Sequence, residues 1–225
     1  MTAMNLTFFA AITLTLLFLT TCQTTATQDF TPNFQAGVAA RLQKDYAKAL
    51  KHWRPIAKQG YAGAQFNLGN MHRLGLGVTK DHKEAVRWYR KAAMQGDAHA
   101  QGSLGVMYDR GHGVTQDLRE AVKWYRKAAN QGYVNVQSIL GHMYANGRGV
   151  MHDDIMAYVW FNVAAMNEND DAIENRDHVS KRLSESDLKK AQKLSKHCHE
   201  KPASCPKYSD DQRQSVNVDG GMYMH

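Results

Sequence analysis

The stretch EAVRWYRKAAMQG, from Glu84 to Gly96, is spelled again as EAVKWYRKAANQG from Glu120 to Gly132, thirty-six positions on. The agreement extends well beyond that stretch. Gln65, Gln101 and Gln137 stand in one column at this spacing, as do Leu68, Leu104 and Leu140, Gly69, Gly105 and Gly141, and Met71, Met107 and Met143. The loop glycines repeat at Gly75, Gly111 and Gly147 and at Gly77, Gly113 and Gly149; Asp81, Asp117 and Asp153 and Trp88, Trp124 and Trp160 follow suit. Column-wise matching over a whole period is the mark of a repeat architecture, in which each unit buries its apolar face only against its neighbours. The duplicated motif therefore reads as a structural unit that cannot fold alone, and not as a duplicated catalytic centre.

Each unit reads as two helices. Ala64, Leu68, Met71 and Gly75 fall at i, i+4, i+7 and i+11, one face of a helix. Gly69 sits in the middle of that helix, where glycine costs up to about 1 kcal/mol relative to alanine. Its presence in every unit predicts the close approach of another backbone. The GLGV loop supplies glycines for the positive φ that ends a helix. Asp81 and Asp117 are acidic N-caps for the second helices, with Glu84 and Glu120 placed to satisfy free backbone donors; Met156 replaces the glutamate after Asp153. Ala85, Trp88, Tyr89, Ala92 and Ala93 make a broad apolar face, so the aromatics are expected in the core.

The expected fold is all-α: antiparallel helix pairs in about four 36-residue repeats with end caps. Residues 30–60 form a shortened entry repeat, in which DYAKALKHWRPIAKQG reproduces a second helix, Trp53 occupies the Tyr89 column and the glycine loop is missing. Residues 61–166 hold the helix-pair repeats, and the more charged 167–198 a C-terminal helical cap. The tail, 199–225, shows no apolar periodicity and is expected to be loose.

An apolar run from Leu6 to Leu19 has the length of a secretory h-region and is short for a membrane span. Residues 1–26 therefore read as a leader, with small residues at Thr24 and Ala26 for cleavage. LTTC, Leu19 to Cys22, resembles a bacterial lipobox and makes lipidation at Cys22 the alternative; an uncleaved anchor is the third. The expected location is outside the cytoplasm, in the periplasm or secreted. Export leaves Cys198 and Cys205 as an even pair, close enough to close a small disulfide loop. The rival reading is a metal site from His197, Cys198, His199 and Cys205.

With the columns laid out, AQGSLGVMYDRGHGVTQDLREAVKWYRKAANQG and the closing AYVWFNVAA resemble the Sel-one-like repeat family, helical relatives of the tetratricopeptide repeats. The resemblance runs from about Phe34 to Cys198. It implies a right-handed superhelical solenoid that serves as an adaptor or scaffold for proteins, with no cofactor. Some cysteine-rich relatives are linked to β-lactam binding or hydrolysis, but this chain lacks their repeat cysteines. A hydrolase or binder acting on cell-wall or β-lactam compounds is the alternative class, and an inhibitor of a wall-degrading enzyme a third.

Positions off the buried face of the first helices vary from unit to unit: Asn67, Asn70 and Arg73, then Ser103, Asp109 and Arg110, then His142 and Asn146. In helix-pair solenoids this surface lines the concave side, and these residues are the candidates for binding another protein of the envelope or host. The second helices carry Lys83, Arg87, Arg90 and Lys91, repeated as Arg119, Lys123, Arg126 and Lys127. Their spacing predicts a basic stripe opposite the tryptophans, read as a solubilising face or a surface for anionic polymer or lipid headgroups. The net charge of +7 agrees with such a face. Nucleic acid is a poor fit, because the stripe lacks interleaved exposed aromatics and the chain is expected to be exported. Membrane contact is expected only through a lipidated Cys22 or an uncleaved leader. No H-E-x-x-H, G-x-S-x-G or phosphate-cradling glycine pattern is present, and the histidines do not share a repeat column, so neither catalytic nor metal residues are assigned.

Overall fold

The structure is a computed structural model that describes residues 30–205. The chain divides into two compact units at Pro32 and Asn33, and the architecture below is that of the second. The leader, Cys22 and residues 206–225 lie outside the described residues.

Ten α-helices follow in order among the described residues, with no strand. They are α1 (Thr31–Leu42), α2 (Tyr46–Lys58), α3 (Ala62–Leu74), α4 (His82–Met94), α5 (Ala98–Arg110), α6 (Leu118–Ala129), α7 (Val134–Ala145), α8 (Asp154–Met166), α9 (Asp170–Ser180) and α10 (Glu185–Glu200). From α2 to α8 each helix packs on its sequence neighbours, α2 on α3, α3 on α4 and so on. The result is a helical repeat solenoid. A 3₁₀ turn, Pro202–Ser204, follows α10, so helical structure continues past Cys198.

Three devices recur at the thirty-six-residue spacing and explain the columns. The first is a slot. Gly69, Gly105 and Gly141 each lie against the ring of Tyr89, Tyr125 and Phe161, and a Cβ there would stand 2.6 Å from ring atoms. Gly37 makes the same space for Trp53 in the entry unit. The close approach is thus made by an aromatic ring, where the sequence suggested a backbone. It also sorts the aromatics: Tyr89 and Tyr125 are buried at 0% and 1% exposure, while Trp88 and Trp124 are only half-buried. The expectation that every aromatic is core fails for those two tryptophans. They stand on the shoulder of the apolar face; of their column only Trp160 is buried, while Trp53 is buried in the tyrosine column.

The second device is a polar ladder. Gln65, Gln101 and Gln137 are buried, and each donates its amide to a carbonyl at the end of the preceding unit's second helix: Ala57, Ala93 and Ala129, at 3.0, 3.1 and 3.1 Å. Each also accepts from the C-cap side chain of its own unit, Gln95, Gln131 or Asn167, at 2.7, 2.7 and 3.3 Å. Each of these carbonyls also accepts from the glycine amide just past its helix, Gly60, Gly96 or Gly132, so the glutamine uses the second lone pair of a C-terminal carbonyl without water.

The third device is the loop. Gly75 and Gly111 end α3 and α5 in the left-handed region. The next glycine is the joint between units: a Cβ on Gly113 would lie 2.3 Å from the His82 carbonyl oxygen, and one on Gly149 2.4 Å from that of Leu118. The chain then enters the second helix through its aspartate, whose carboxylate accepts from the Glu84, Glu120 or Met156 amide. The N-cap's own amide donates back to the first helix, Asp81 to the His72 carbonyl, Asp117 to Tyr108 and Asp153 to Tyr144. The glutamates expected to serve that amide instead pair with Arg87 and Lys123 one turn on, at 3.1 and 3.0 Å.

At the far end α9 and α10 cover α8, which is buried almost all round. Asn162 of α8 donates to the Ser195 hydroxyl at 2.7 Å and accepts from Arg176, so the cap's polar contacts are satisfied internally.

Candidate partner-binding surface

The aromatic in the slot determines what the neighbouring first-helix residues do. The Tyr89 hydroxyl donates to Asn70 Oδ1 at 2.8 Å and accepts from Arg73 Nε at 3.1 Å, with Ser103 of the next unit beside it. Burial pushes the Tyr89 phenol above its ordinary value, and Arg73 partly offsets this. One unit on, the Tyr125 hydroxyl lies beside Asp109, whose carboxylate accepts from Arg148 at 2.9 Å. Burial first and the Asp109 charge second hold the Tyr125 phenol well above the usual tyrosine range.

The eight residues singled out from sequence therefore divide. Asn70, Arg73, Ser103 and Asp109 are half-buried: the first two bond the Tyr89 hydroxyl, Ser103 lies beside it and Asp109 lies beside that of Tyr125. Asn67 is half-buried between them. Arg110, His142 and Asn146 are exposed. Asn146 bonds its own helix at the His142 carbonyl, and His142 sits edge-on to Phe161 at 4.9 Å, where the ring partly desolvates the imidazole and lowers its pKa. Two residues of this surface escaped the sequence reading. Leu74, 50% exposed, occupies the column of Arg110 and Asn146; aligning the column would have revealed it. Arg148 comes from a glycine loop and reaches Asp109 across thirty-nine residues, which no helical periodicity signals.

The stripe on the second helices also differs from expectation. Lys91 and Lys127 do not lie opposite the tryptophans: their ammonium groups stand over Trp88 and Trp124, 4.5 and 4.1 Å from the ring centres. Three residues along a helix is about one turn, so both side chains share a face. Arg90 donates to the Tyr108 hydroxyl of the next unit at 2.8 Å, and Arg126 to that of Tyr144. Much of the stripe thus joins units.

A Ser and a His do meet, at Ser204 Oγ and His197 Nε2, 3.1 Å apart and exposed. Ser204 donates its proton to the Lys201 carbonyl at 2.9 Å, which leaves His197 as donor to the hydroxyl. That is the reverse of what a general base needs. Cys198 and Cys205 are buried with Cα atoms 4.7 Å apart, within the span of a disulfide. Among the described residues no three His, Cys, Asp or Glu side chains gather as a metal site.

Stacked helix pairs with an interior shared between units, and with an exposed column that changes from unit to unit, define a helical repeat protein. The chain belongs to the Sel1 repeat family, whose model matches residues 35–61, 62–97, 98–133 and 136–169. It is similar to the crystal structure of a Sel1 repeat protein from Oxalobacter formigenes, at 34% identity over 64% of this chain and 59% of that one, TM-score 0.61. It is also similar to a protective antigen present in uropathogenic Escherichia coli strains, which displays an SLR fold, at 30% identity over 86% of this chain and 51% of that one, TM-score 0.55. The chain thus spans between half and three-fifths of the length of these two proteins. Among curated proteins none matches.

Proposed function

We propose that this chain is a non-catalytic scaffold, exported to the periplasm or beyond, that holds a protein partner on its first-helix surface. Sel1 repeats serve generally in protein–protein interaction, which supports the class. The observation that carries the assigned surface is the column Leu74, Arg110 and Asn146: exposed in each unit and different in each, on a framework whose slot, ladder and loop are alike. Arg73, Arg110 and Arg148 outnumber Asp109 around it, so an acidic or polar segment suits it best. The buried cysteine pair is read as a disulfide formed after export.

The test is photo-crosslinking in cells from residues placed at Arg110 and Asn146, with Lys83 and Arg87 on a second helix as controls. Adducts to one protein from the first two sites and none from the controls are expected. The opposite distribution would reassign the surface. Cell fractionation, with a thiol titration that finds no free thiol at Cys198 and Cys205, checks location and cross-link together; a cytoplasmic protein with both thiols free would overturn both.

A further inference from the structure

Between α6 and α8, on the second-helix side and away from the surface just described, lies a cavity of about 280 Å³. Trp124, Asn130 and Trp160 line it together with Lys123, Arg126 and Lys127. Three of these residues carry buried polar atoms without a hydrogen-bond partner: the indole Nε1 of Trp124, the indole Nε1 of Trp160 and the amide Oδ1 of Asn130. Trp160 is 3% exposed. Buried polar atoms are nearly always satisfied, and three orphans around one cavity call for an occupant that supplies what they lack. They lack one donor and two acceptors. Lys123 and Lys127 add positive charge, and among the described residues Glu120 is the one carboxylate in the lining, paired with Lys123 at 3.0 Å. Asn130 makes the place particular to this unit: the same column holds an exposed Met94 before it and an exposed Met166 after it.

We infer that this cavity binds an N-acylated α-amino carboxylate, the chemistry of a polypeptide's C-terminal residue. Its two carboxylate oxygens accept from the indole N–H groups and from Lys123 and Lys127, and its amide N–H donates to Asn130 Oδ1, a donor and an acceptor set apart by one Cα. The size suits one residue with the start of a second. The inference does not depend on the first-helix surface, and none of the residues invoked is shared with it.

The test is a titration of the full chain with N-acetyl-alanyl-alanine as free acid and as C-terminal amide, followed by calorimetry and by fluorescence of Trp124 and Trp160. The free acid is expected to bind saturably and the amide about tenfold more weakly, since a charge-assisted set of bonds is lost. Asn130→Asp, nearly isosteric but repelling a carboxylate, and Lys123→Gln with Lys127→Gln are each expected to weaken the acid by about tenfold with helical circular dichroism unchanged. Equal binding of acid and amide overturns the assignment, as does an absence of binding. Sodium acetate matching the peptide acid would leave a simple anion site in its place, and so would an Asn130→Asp variant that binds as well as the parent. The comparison of acid with amide on the parent chain needs no variant to fold.

Discussion

Tyr125 and Phe161 fill the same slot in successive units, each with ring atoms 2.6 Å from where a Cβ on the opposing glycine would stand. They differ by one hydroxyl. Around Tyr125 that hydroxyl lies beside Asp109, which holds Arg148 from the next loop. Around Phe161 there is no such group, and His142 and Asn146 face solvent. Slot, ladder and loop close each joint by shape and by backbone bonding. The hydroxyl determines whether the polar residues beside the joint are committed to it or left for a partner.

The shared framework should be far more sensitive than the variable one. Gly113 sits at φ 73°, and a Cβ there meets the His82 carbonyl, backbone that cannot swing aside. Gly113→Ala is expected to cost about 3 kcal/mol, combining left-handed strain with overpacking. It should lower the thermal midpoint of the helical signal. A change of under about 1 kcal/mol would show that the loop is not the joint.

Gln101→Leu comes next. It keeps the volume but removes two side-chain bonds of the ladder: the second donor to the buried Ala93 carbonyl, which keeps its bond from the Gly96 amide, and one acceptor of Gln131. A loss of about 2 kcal/mol in urea unfolding is expected. If the ladder links units, the unfolding slope should fall as well, because the repeats on either side of the break would no longer unfold together.

Much of this framework was legible in the sequence, because period and helical face are set by chain geometry. The spacing from Gly69 to Tyr89 repeats in the next unit and was visible. Trp88 and Tyr89 are nevertheless adjacent on one broad apolar face, and periodicity cannot tell which ring enters the slot. The glutamine column was equally visible, but its acceptor lies eight residues back in another unit, outside any helical period. The candidate surface was the least legible part. An off-face position was equated with a free side chain, whereas Asn70 and Arg73 are long enough to reach back to a tyrosine hydroxyl.

Tyr125→Phe converts one slot into the other and should sharpen the comparison. Losing the hydroxyl costs about 1 kcal/mol at neutral pH, since Asp109 keeps Arg148. Its sign should change with alkali. The folded phenol is raised above the ordinary 10.0, so the folded state holds its proton longer than the unfolded one. That contribution is complete below pH 10 and is lost as pH rises toward the folded value. Tyr89 is shifted in the same direction and adds to the effect. Unfolding midpoints measured from neutral to strongly alkaline pH should fall less steeply in Tyr125→Phe than in the parent. Parallel curves would mean that the phenol is not buried as described.

The smallest effect belongs to the other slot. His142 is exposed on one side, but the Phe161 ring strips water from the other and lowers its pKa below 6.5, so the unfolded chain takes up this proton first on acidification. The stability contributed by neutral His142 is complete above pH 6.5 and is lost as pH falls through the depressed folded value. His82 is lowered too, by burial and then by the charge of His112, and works in the same direction. His142→Leu should therefore flatten the decline in unfolding midpoint between about pH 7 and pH 5 only in part, with His82 supplying the rest. Changing His142 should leave the alkaline limb untouched, just as Tyr125→Phe should leave the acid limb untouched. If either variant moves both limbs, the two slots are coupled through the intervening helices, and the division between committed and free residues no longer follows the hydroxyl.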